Sequence, residues 1–219
     1  MFRACFDELK SSGNTVIAYI YSLYGTRSLE AMETDLNKWI DDFGFDLIDG
    51  VFIDETMSVY EDQARLQRYT DILSIIRAKF ATAGKTPLIV GNSGQVAPRE
   101  LVDAFDSIVT FEQPQRNYEK DPCPGGYEAN TVYCGMAWHP VLSQQVADLA
   151  DGTLSPAKLS SLIYAVPEAK MDAAIEAAVN SGTSLIYATD ADLPENLWAR
   201  LPVYWDDLIS HDAFNCARK

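Results

Sequence analysis

Two kinds of apolar segment alternate along most of the chain. Short runs rich in β-branched and aromatic residues predict buried strands, and longer runs with an apolar residue every three or four positions predict helices. The predicted strands are 15–21, 50–53, 88–90, 107–111, 159–166 and 184–189. The predicted helices are 2–9, 28–43 with Ser28 as N-cap, 60–83, a short one opened by Pro98, 141–149, 170–180 and 201–210. Short apolar strands separated by helices are typical of an α/β protein with a parallel sheet covered by helices.

The alternation weakens between residues 113 and 158, which predicts an irregular insertion within a single domain of residues 1–219. Elsewhere an open, doubly wound sheet and a closed barrel fit the pattern equally well. No predicted strand is followed by a GxGxxG motif, and this argues against the nucleotide-binding version of the open sheet.

The charge balance narrows the range of partners. The chain has 17 basic and 32 acidic residues, a net charge of -15, so we expect no nucleic-acid partner. The same charge either attracts a cationic ligand, such as a polymer of free amino sugars, or simply solvates the surface. We expect no membrane span, because the longest apolar runs are far shorter than the roughly 18 residues that a membrane helix needs. Residues 1–10 are polar and lack the apolar core of a signal peptide.

The cysteines and histidines match no metal or nucleophile motif. The four cysteines predict either a local Cys123–Cys134 disulfide or four unrelated buried thiols, and their spacing fits no zinc template. We expect both histidines, His139 and His211, to be exposed to solvent. They give neither a histidine metal site nor a Ser-His-Asp triad, so no metal site is predicted.

Polar side chains recur at the carboxyl ends of the predicted strands. In chain order they are Tyr24 and Arg27, Asp54 and Glu55, Asn92, Glu112, and Asp190. In parallel α/β folds this edge of the sheet forms the binding face. Carboxylates that recur there predict an active site.

Asp54 and Glu55 are the strongest candidates for chemistry. As neighbours on a strand they would point to opposite faces, so we expect one to face the interior and the turn at Thr56 to free the other. Hydrolysis of a glycosidic bond needs a proton donor and a second carboxylate, and one of two acids that share a cavity tends to stay protonated at neutral pH. The alternative is that Asp54 caps the next helix and Glu55 is exposed.

The other rim residues have two interpretations each. Glu112 ends a buried strand and is either catalytic or paired with an arginine. Asp190 either belongs to the rim or caps the turn before Leu193. Tyr24 and Arg27 either offer an aromatic and a cationic contact to a sugar or form a turn with a surface arginine.

These residues lie in stretches that resemble the spherulin-4 family. In chain order the stretches are VIAYIY (16–21) with YGTR (24–27), GVFIDE (50–55), GNSG (91–94), IVTFE (108–112), YATD (187–190) with LP (193–194), and LPVYW (201–205). The resemblance implies a TIM-type (β/α) barrel. It also implies a secreted or cell-surface glycoside hydrolase that cuts α-1,4 linkages in N-acetylgalactosamine-containing polysaccharides of microbial walls and biofilms. Asp54, Glu55 and Glu112 are then the important acids, and no metal or organic cofactor is implied.

Three departures from the family pattern shape the expectation. The family has two further β/α units before the strand at 15–21, so we expect a barrel that lacks its first two units and has unpaired edges at 15–21 and 184–189. Ser93 stands where the family usually has proline. Tyr164 stands where a histidine is common, and we retain it as a residue that stacks on a sugar ring.

The sequence therefore predicts a monomeric endo-glycosidase acting on amino-sugar polysaccharide. Its predicted catalytic acids are Asp54, Glu55 and Glu112, and its predicted substrate contacts are Tyr24, Arg27, Asn92, Tyr164 and Asp190. The alternative is a wall or spore-coat protein that binds glycan without cutting it, which the missing strands and the Tyr164 exchange favour. An α/β hydrolase with a small substrate is a weaker option, because no nucleophile motif is present.

Overall fold

The computed structural model describes residues 2–58, 62–115 and 147–213. Six strands form one parallel sheet in which the order of the strands follows the chain. The strands are β1 Ile17–Tyr21, β2 Gly50–Asp54, β3 Leu88–Asn92, β4 Ser107–Pro114, β5 Leu159–Tyr164 and β6 Leu185–Ala188. The helices are α1 Phe2–Ser11, α2 Leu29–Leu47, α3 Gln63–Thr82, α4 Arg99–Ala104, α5 Met171–Asn180 and α6 Trp205–Ser210. Within these described ranges, no helix has both the length and the apolar character needed to cross a membrane.

All six predicted strands are present, which confirms the α/β class with a parallel sheet. Closure of this sheet into a TIM-type barrel stays a prediction. β3 continues through Gly91 and Asn92, two residues beyond the predicted strand 88–90. A Cβ atom on Gly91 would lie 3.0 Å from the Phe105 ring, so this glycine allows the strand to pack closely.

The predicted insertion at 113–158 is described only at its two ends. β4 continues to Pro114, residues 147–151 are helical, and Pro156–Lys158 forms a 3-10 turn. Residues 116–146 lie outside the described residues, and they include Cys123, Cys134 and His139.

Helix boundaries follow from capping groups and from one glycine. The Ser28 side chain accepts a hydrogen bond from Ala31 N at 3.2 Å, which confirms it as the N-cap of α2. Asp62 caps α3, so that helix begins at 63 and not at 60. Gly44 has φ 76° and breaks α2 into two segments, a conformation that glycine adopts without a steric penalty. α6 begins at 205 and not at 201, because Val203 N is bound to Asp190 at 3.0 Å.

The chain separates into two compact units, Met1–Ser93 with Ala97–Ile108, and Gly94–Val96 with Val109–Lys219. The prediction of a single domain stays a prediction. In the first unit, α2 packs against β1 and against α3. One face of β1 and β2 is buried through Ala18, Ile20, Val51 and Ile53. The strand register aligns Tyr19 with Phe52 and Tyr21 with Asp54, so these four side chains share the other face.

Two side chains satisfy the outer edge of β1. Ser22 N faces β2 and donates to its last carbonyl at 2.9 Å, so the carbonyls of Tyr19 and Tyr21 face the opposite edge of the strand. There the Trp39 indole donates to Tyr19 O at 2.8 Å, and the Arg27 guanidinium donates to Tyr21 O at 3.1 Å. The edge that we expected to be unpaired is therefore hydrogen-bonded at two of its carbonyls.

In the second unit, β5 and β6 pair in parallel and α5 packs against β6. The core of this unit comprises Ile163, Val166, Met171, Ala174, Ile175, Ala178, Ala188, Tyr204 and Leu208. The buried Tyr204 phenol donates to Val166 O at 3.1 Å, which ties the segment before α6 to the end of β5.

Candidate functional site

Asp54 is the last residue of β2, and its carboxylate is held by three donors. The Tyr19 phenol donates to Oδ2 at 2.7 Å. The Asn92 amide donates to Oδ1 at 2.9 Å, and the backbone N–H of Glu55 donates to the same oxygen at 2.8 Å. The two side-chain donors come from the flanking strands β1 and β3, whose register brings them to the same face as Asp54. The carboxylate therefore has a fixed orientation at the carboxyl end of the sheet.

Tyr19 is a donor because its phenol stays protonated. Burial raises the pKa of Tyr19 well above its usual value, and the hydrogen bond to Asp54 and the charges of Asp54 and Glu55 raise the pKa further. The ring is nevertheless 48% exposed, so it is accessible at the site. Tyr19 was not among the predicted site residues, although the strand period places it on one face of β1 together with Tyr21.

Glu55 follows β2 in a strained conformation. Its φ is 51°, in the left-handed region that costs a residue with a side chain about 1–3 kcal/mol. This conformation ends the strand alternation at the point where the two acids meet, so they do not simply point to opposite faces. The Glu55 Oε2 atom is buried and has no hydrogen-bond partner within the described part of the chain.

A buried relay of hydrogen bonds fixes the Glu55 peptide. Ser22 Oγ lies 2.7 Å from Glu55 O and 2.9 Å from the Tyr69 hydroxyl, and Met57 N donates to that hydroxyl at 2.9 Å. Because the single hydroxyl proton of Ser22 is donated to Glu55 O, the Tyr69 hydroxyl is the donor in its bond to Ser22 Oγ. Tyr24 N also donates to Glu55 O, at 2.7 Å. Such a chain of bonds opposes relaxation of the strained φ.

Asn92 was predicted as a substrate contact, and it is hydrogen-bonded to the segment 54–56 that contains the two acids. Its side-chain amide donates to Asp54, and its backbone carbonyl accepts from Thr56 N at 2.7 Å. The residue is buried. In the described structure it therefore supports the carboxylate and the turn that follows it.

Tyr24 and Arg27 lie in the turn after β1. Tyr24 has φ 53° and a side chain that is largely exposed, and its backbone N–H donates to Glu55 O. Arg27 is not the surface arginine of the alternative interpretation. Its side chain is 15% exposed, pairs with Asp35 at 2.5 Å and lies 4.0 Å from the centre of the Tyr21 ring. These contacts occupy the Arg27 guanidinium in the described structure.

Three predicted site residues lie in the second unit. Glu112 is partly buried in β4, with its backbone N–H bound to Gly94 O at 3.0 Å. Tyr164 is buried at the end of β5 in a small apolar cluster with Ala191 and Leu197. This burial leaves little of the Tyr164 ring for stacking on a sugar.

Asp190 forms a two-point ion pair with Arg200, with oxygen–nitrogen distances of 2.9 and 2.7 Å. Hydrogen bonds from Arg200 lower the pKa of Asp190 against the opposing effect of burial, and a bond from Val203 N lowers it further. The carboxylate thus holds the segment before α6. Its role as a substrate contact stays a prediction.

Two minor expectations were wrong. His211 is not exposed, since its side chain is only 15% accessible and lies 3.4 Å from the Asp172 carboxylate. Cys5 is exposed, so the four cysteines are not all buried thiols. Among the described residues, no group of three or more histidine, cysteine or acidic side chains could hold a metal ion.

The fold and the first unit together define a class of protein. A parallel α/β sheet with two adjacent acids at the carboxyl end of one strand is the arrangement in which such folds bind ligands and carry out chemistry. The chain belongs to the Spherulin4 family, described as spherulation-specific family 4, whose model matches residues 1–211.

A solved structure with a similar fold supports this architecture. The crystal structure of Aspergillus clavatus Sph3 in complex with GalNAc superimposes with a TM-score of 0.66 at 17% sequence identity. The match covers 95% of this chain and 76% of the Sph3 chain. Comparison with curated proteins finds no significant match.

Proposed function

We propose that this protein is a glycoside hydrolase that cleaves α-1,4 linkages in N-acetylgalactosamine- or galactosamine-containing polysaccharide. The observation that carries the proposal is the pair of acids after β2. Asp54 is held by three donors, while the adjacent Glu55 has a buried carboxylate oxygen with no hydrogen-bond partner among the described residues. Family membership and the fold shared with Sph3, a protein crystallised with GalNAc, support the choice of sugar.

The proposed chemistry divides the work between carboxyl groups. Hydrolysis of a glycosidic bond needs one group to protonate the leaving oxygen and another to act as nucleophile, base or charge stabiliser. Asp54 suits the role of a fixed anion, because its orientation is set on both oxygens. We assign proton exchange to Glu55, because it lies next to Asp54 at the end of β2 and its Oε2 has no hydrogen-bond partner among the described residues. We also assign Glu112 to this chemistry, from its place in β4 and its match to the family motif.

The test is release of reducing ends from an α-1,4-linked N-acetylgalactosamine polymer, before and after partial deacetylation. We expect Glu55→Gln and Glu112→Gln to lose activity by at least about a hundredfold, since each removes a proton-transfer group. Glu168→Gln is the matched control, because Glu168 follows β5 but is exposed, and we expect full activity from it. Full activity in either of the first two variants would remove that residue from the mechanism.

The same assay separates the second candidate function, a wall or spore-coat protein that binds glycan without cutting it. The exposed rings of Tyr19 and Tyr24 near the acids favour glycan binding in either case. Binding of the polymer by the wild-type chain with no release of reducing ends, unaffected by Glu55→Gln, selects the binding protein.

Several finer properties belong to the same proposal. We infer a sheet that closes as a TIM-type barrel, a monomeric state, and secretion or display at the cell surface. Tyr24, Arg27, Tyr164 and Asp190 remain proposed sugar contacts, although Tyr164 is buried and Arg27 and Asp190 are engaged in ion pairs. The anomeric configuration of the first product, read by nuclear magnetic resonance, will distinguish retention from inversion.

A further inference from the structure

Tyr19 lies beside Asp54 and has no step of its own in the proposed chemistry. Its phenol donates to Asp54 Oδ2 at 2.7 Å, while Asn92 and the Glu55 backbone hold the other oxygen. Without the phenol, the Asp54 carboxylate would keep its contacts on Oδ1 and lose this anchor on Oδ2. The Tyr19 hydroxyl therefore restricts rotation of the carboxylate about its Cβ–Cγ bond.

The Tyr19 side chain is itself fixed at two places. Its ring stacks on Phe52 of the neighbouring strand, with ring centres 6.3 Å apart and planes inclined by 16°. Its backbone carbonyl accepts the Trp39 indole N–H at 2.8 Å. Because the Tyr19 side chain is already fixed, its hydroxyl can orient the Asp54 carboxylate with little further loss of conformational entropy.

We propose that Tyr19 is a positioning residue for Asp54 and holds its carboxylate in the orientation that acts on the glycosidic bond. This inference rests on the proposed glycosidase function. The hydroxyl acts through Asp54, so its removal impairs turnover more than substrate binding. A residue that merely contacted the sugar would show the opposite pattern.

The kinetic test compares Tyr19→Phe with Tyr21→Phe on the α-1,4-linked N-acetylgalactosamine polymer. Both changes remove one hydroxyl and keep the ring, on the same face of the same strand. We expect Tyr19→Phe to lower kcat about tenfold or more, the range for a hydrogen bond to a charged group, with KM changed by less than about twofold. Tyr21→Phe should leave both constants unchanged. An unchanged kcat in Tyr19→Phe, or a raised KM alone, overturns the proposal.

A second readout does not depend on activity. The difference in tyrosinate absorbance between the wild type and Tyr19→Phe during an alkaline titration isolates the Tyr19 phenol from the other tyrosines. We expect this phenol to stay protonated past pH 10, where tyrosines ordinarily ionise, and to ionise at lower pH when Asp54→Asn removes the charge.

The two readouts distinguish the two ways of failing. If Tyr19 ionises near pH 10, or at the same pH in Asp54→Asn as in the wild type, it does not anchor Asp54 and the positioning role is wrong, whatever the activity. If the Tyr19 phenol stays protonated as expected but the wild-type chain releases no reducing ends, the proposed glycosidase function is wrong. Tyr19 then orients Asp54 without a role in catalysis. Activity together with a held phenol and a lowered kcat in Tyr19→Phe supports both.

Discussion

At the scale of single residues, the strained backbone of Glu55 depends on hydroxyl groups buried behind it. The Glu55 carbonyl accepts from Ser22 Oγ, Ser22 Oγ accepts from Tyr69, and Tyr69 accepts from Met57 N. Burial raises the pKa of Tyr69 despite hydrogen bonds that lower it, which keeps the hydroxyl available as a donor. The relay therefore couples the shape of the site to the interior of the first unit.

Tyr69→Phe tests this coupling, because it removes the hydroxyl and keeps the ring that packs beside Phe105. Tyr69 is 1% exposed, so Met57 N would lose its buried acceptor and Ser22 Oγ would lose its buried donor. We expect a loss of about 1–3 kcal/mol in the free energy of unfolding, measured by urea denaturation. Tyr24→Phe is the control: its ring is 53% exposed, and its stability should stay within about 0.5 kcal/mol of the wild type. Equal stability of Tyr69→Phe and the wild type would contradict the relay.

Sequence reasoning selected the acids of the candidate site but not the residues that orient them. Asp54 and Glu55 could be predicted because an apolar run ends at them and parallel strands carry function at that end. Tyr19 and Ser22 could not be assigned, since their roles depend on the register between β1 and β2, which pairs residues more than thirty positions apart. The left-handed φ of Glu55 was also invisible, because local preference disfavours it and only the surrounding hydrogen bonds maintain it.

At the scale of elements, β1 is the first strand in the order of the sheet, and side chains cover part of its outer hydrogen-bonding edge. Its outer carbonyls at Tyr19 and Tyr21 are bound by Trp39 from α2 and by Arg27 from the turn after the strand. Trp39 also packs with Phe6 and Phe43, which joins α1 and α2 over the same strand. Side chains thus take up hydrogen bonds that another strand would otherwise compete for.

Trp39→Phe examines this protection with little change in apolar packing. The variant loses the indole N–H, so Tyr19 O is left unpaired at the edge of β1. We expect stability to fall by about 0.5–1.5 kcal/mol from the lost hydrogen bond, with some added loss from the smaller ring. Light scattering should also report more self-association on mild heating, because the edge is freer to pair. Phe43→Leu, which trims the same aromatic cluster without touching the carbonyl, should lose stability without the added association.

At the scale of the whole molecule, two opposing electrostatic effects govern the response to acid. The chain carries a net charge of -15, so protonation of surface carboxylates first relieves repulsion. Each unit also contains an aspartate whose charge is stabilised by the fold, Asp49 in the first and Asp190 in the second. Burial opposes ionisation of Asp49, but hydrogen bonds from Lys10 and from Val16 N outweigh it and lower its pKa.

The sign of the Asp49 contribution follows from the direction of its pKa shift. Because the pKa is lower in the folded than in the unfolded state, the stabilisation is present above the unfolded value near 3.9 and is lost as the pH falls through the folded value. Asp49→Asn should therefore be less stable than the wild type at pH 7, and the gap should narrow towards pH 2. Urea denaturation across this range measures the gap, and taking the difference cancels the general charge repulsion.

Asp46→Asn is the control, since the Arg3–Asp46 pair is largely exposed and should give a small, nearly constant difference. Curves for Asp49→Asn and the wild type that stay parallel down to pH 2 would show that the Lys10–Asp49 contact does not stabilise the folded chain through its charge.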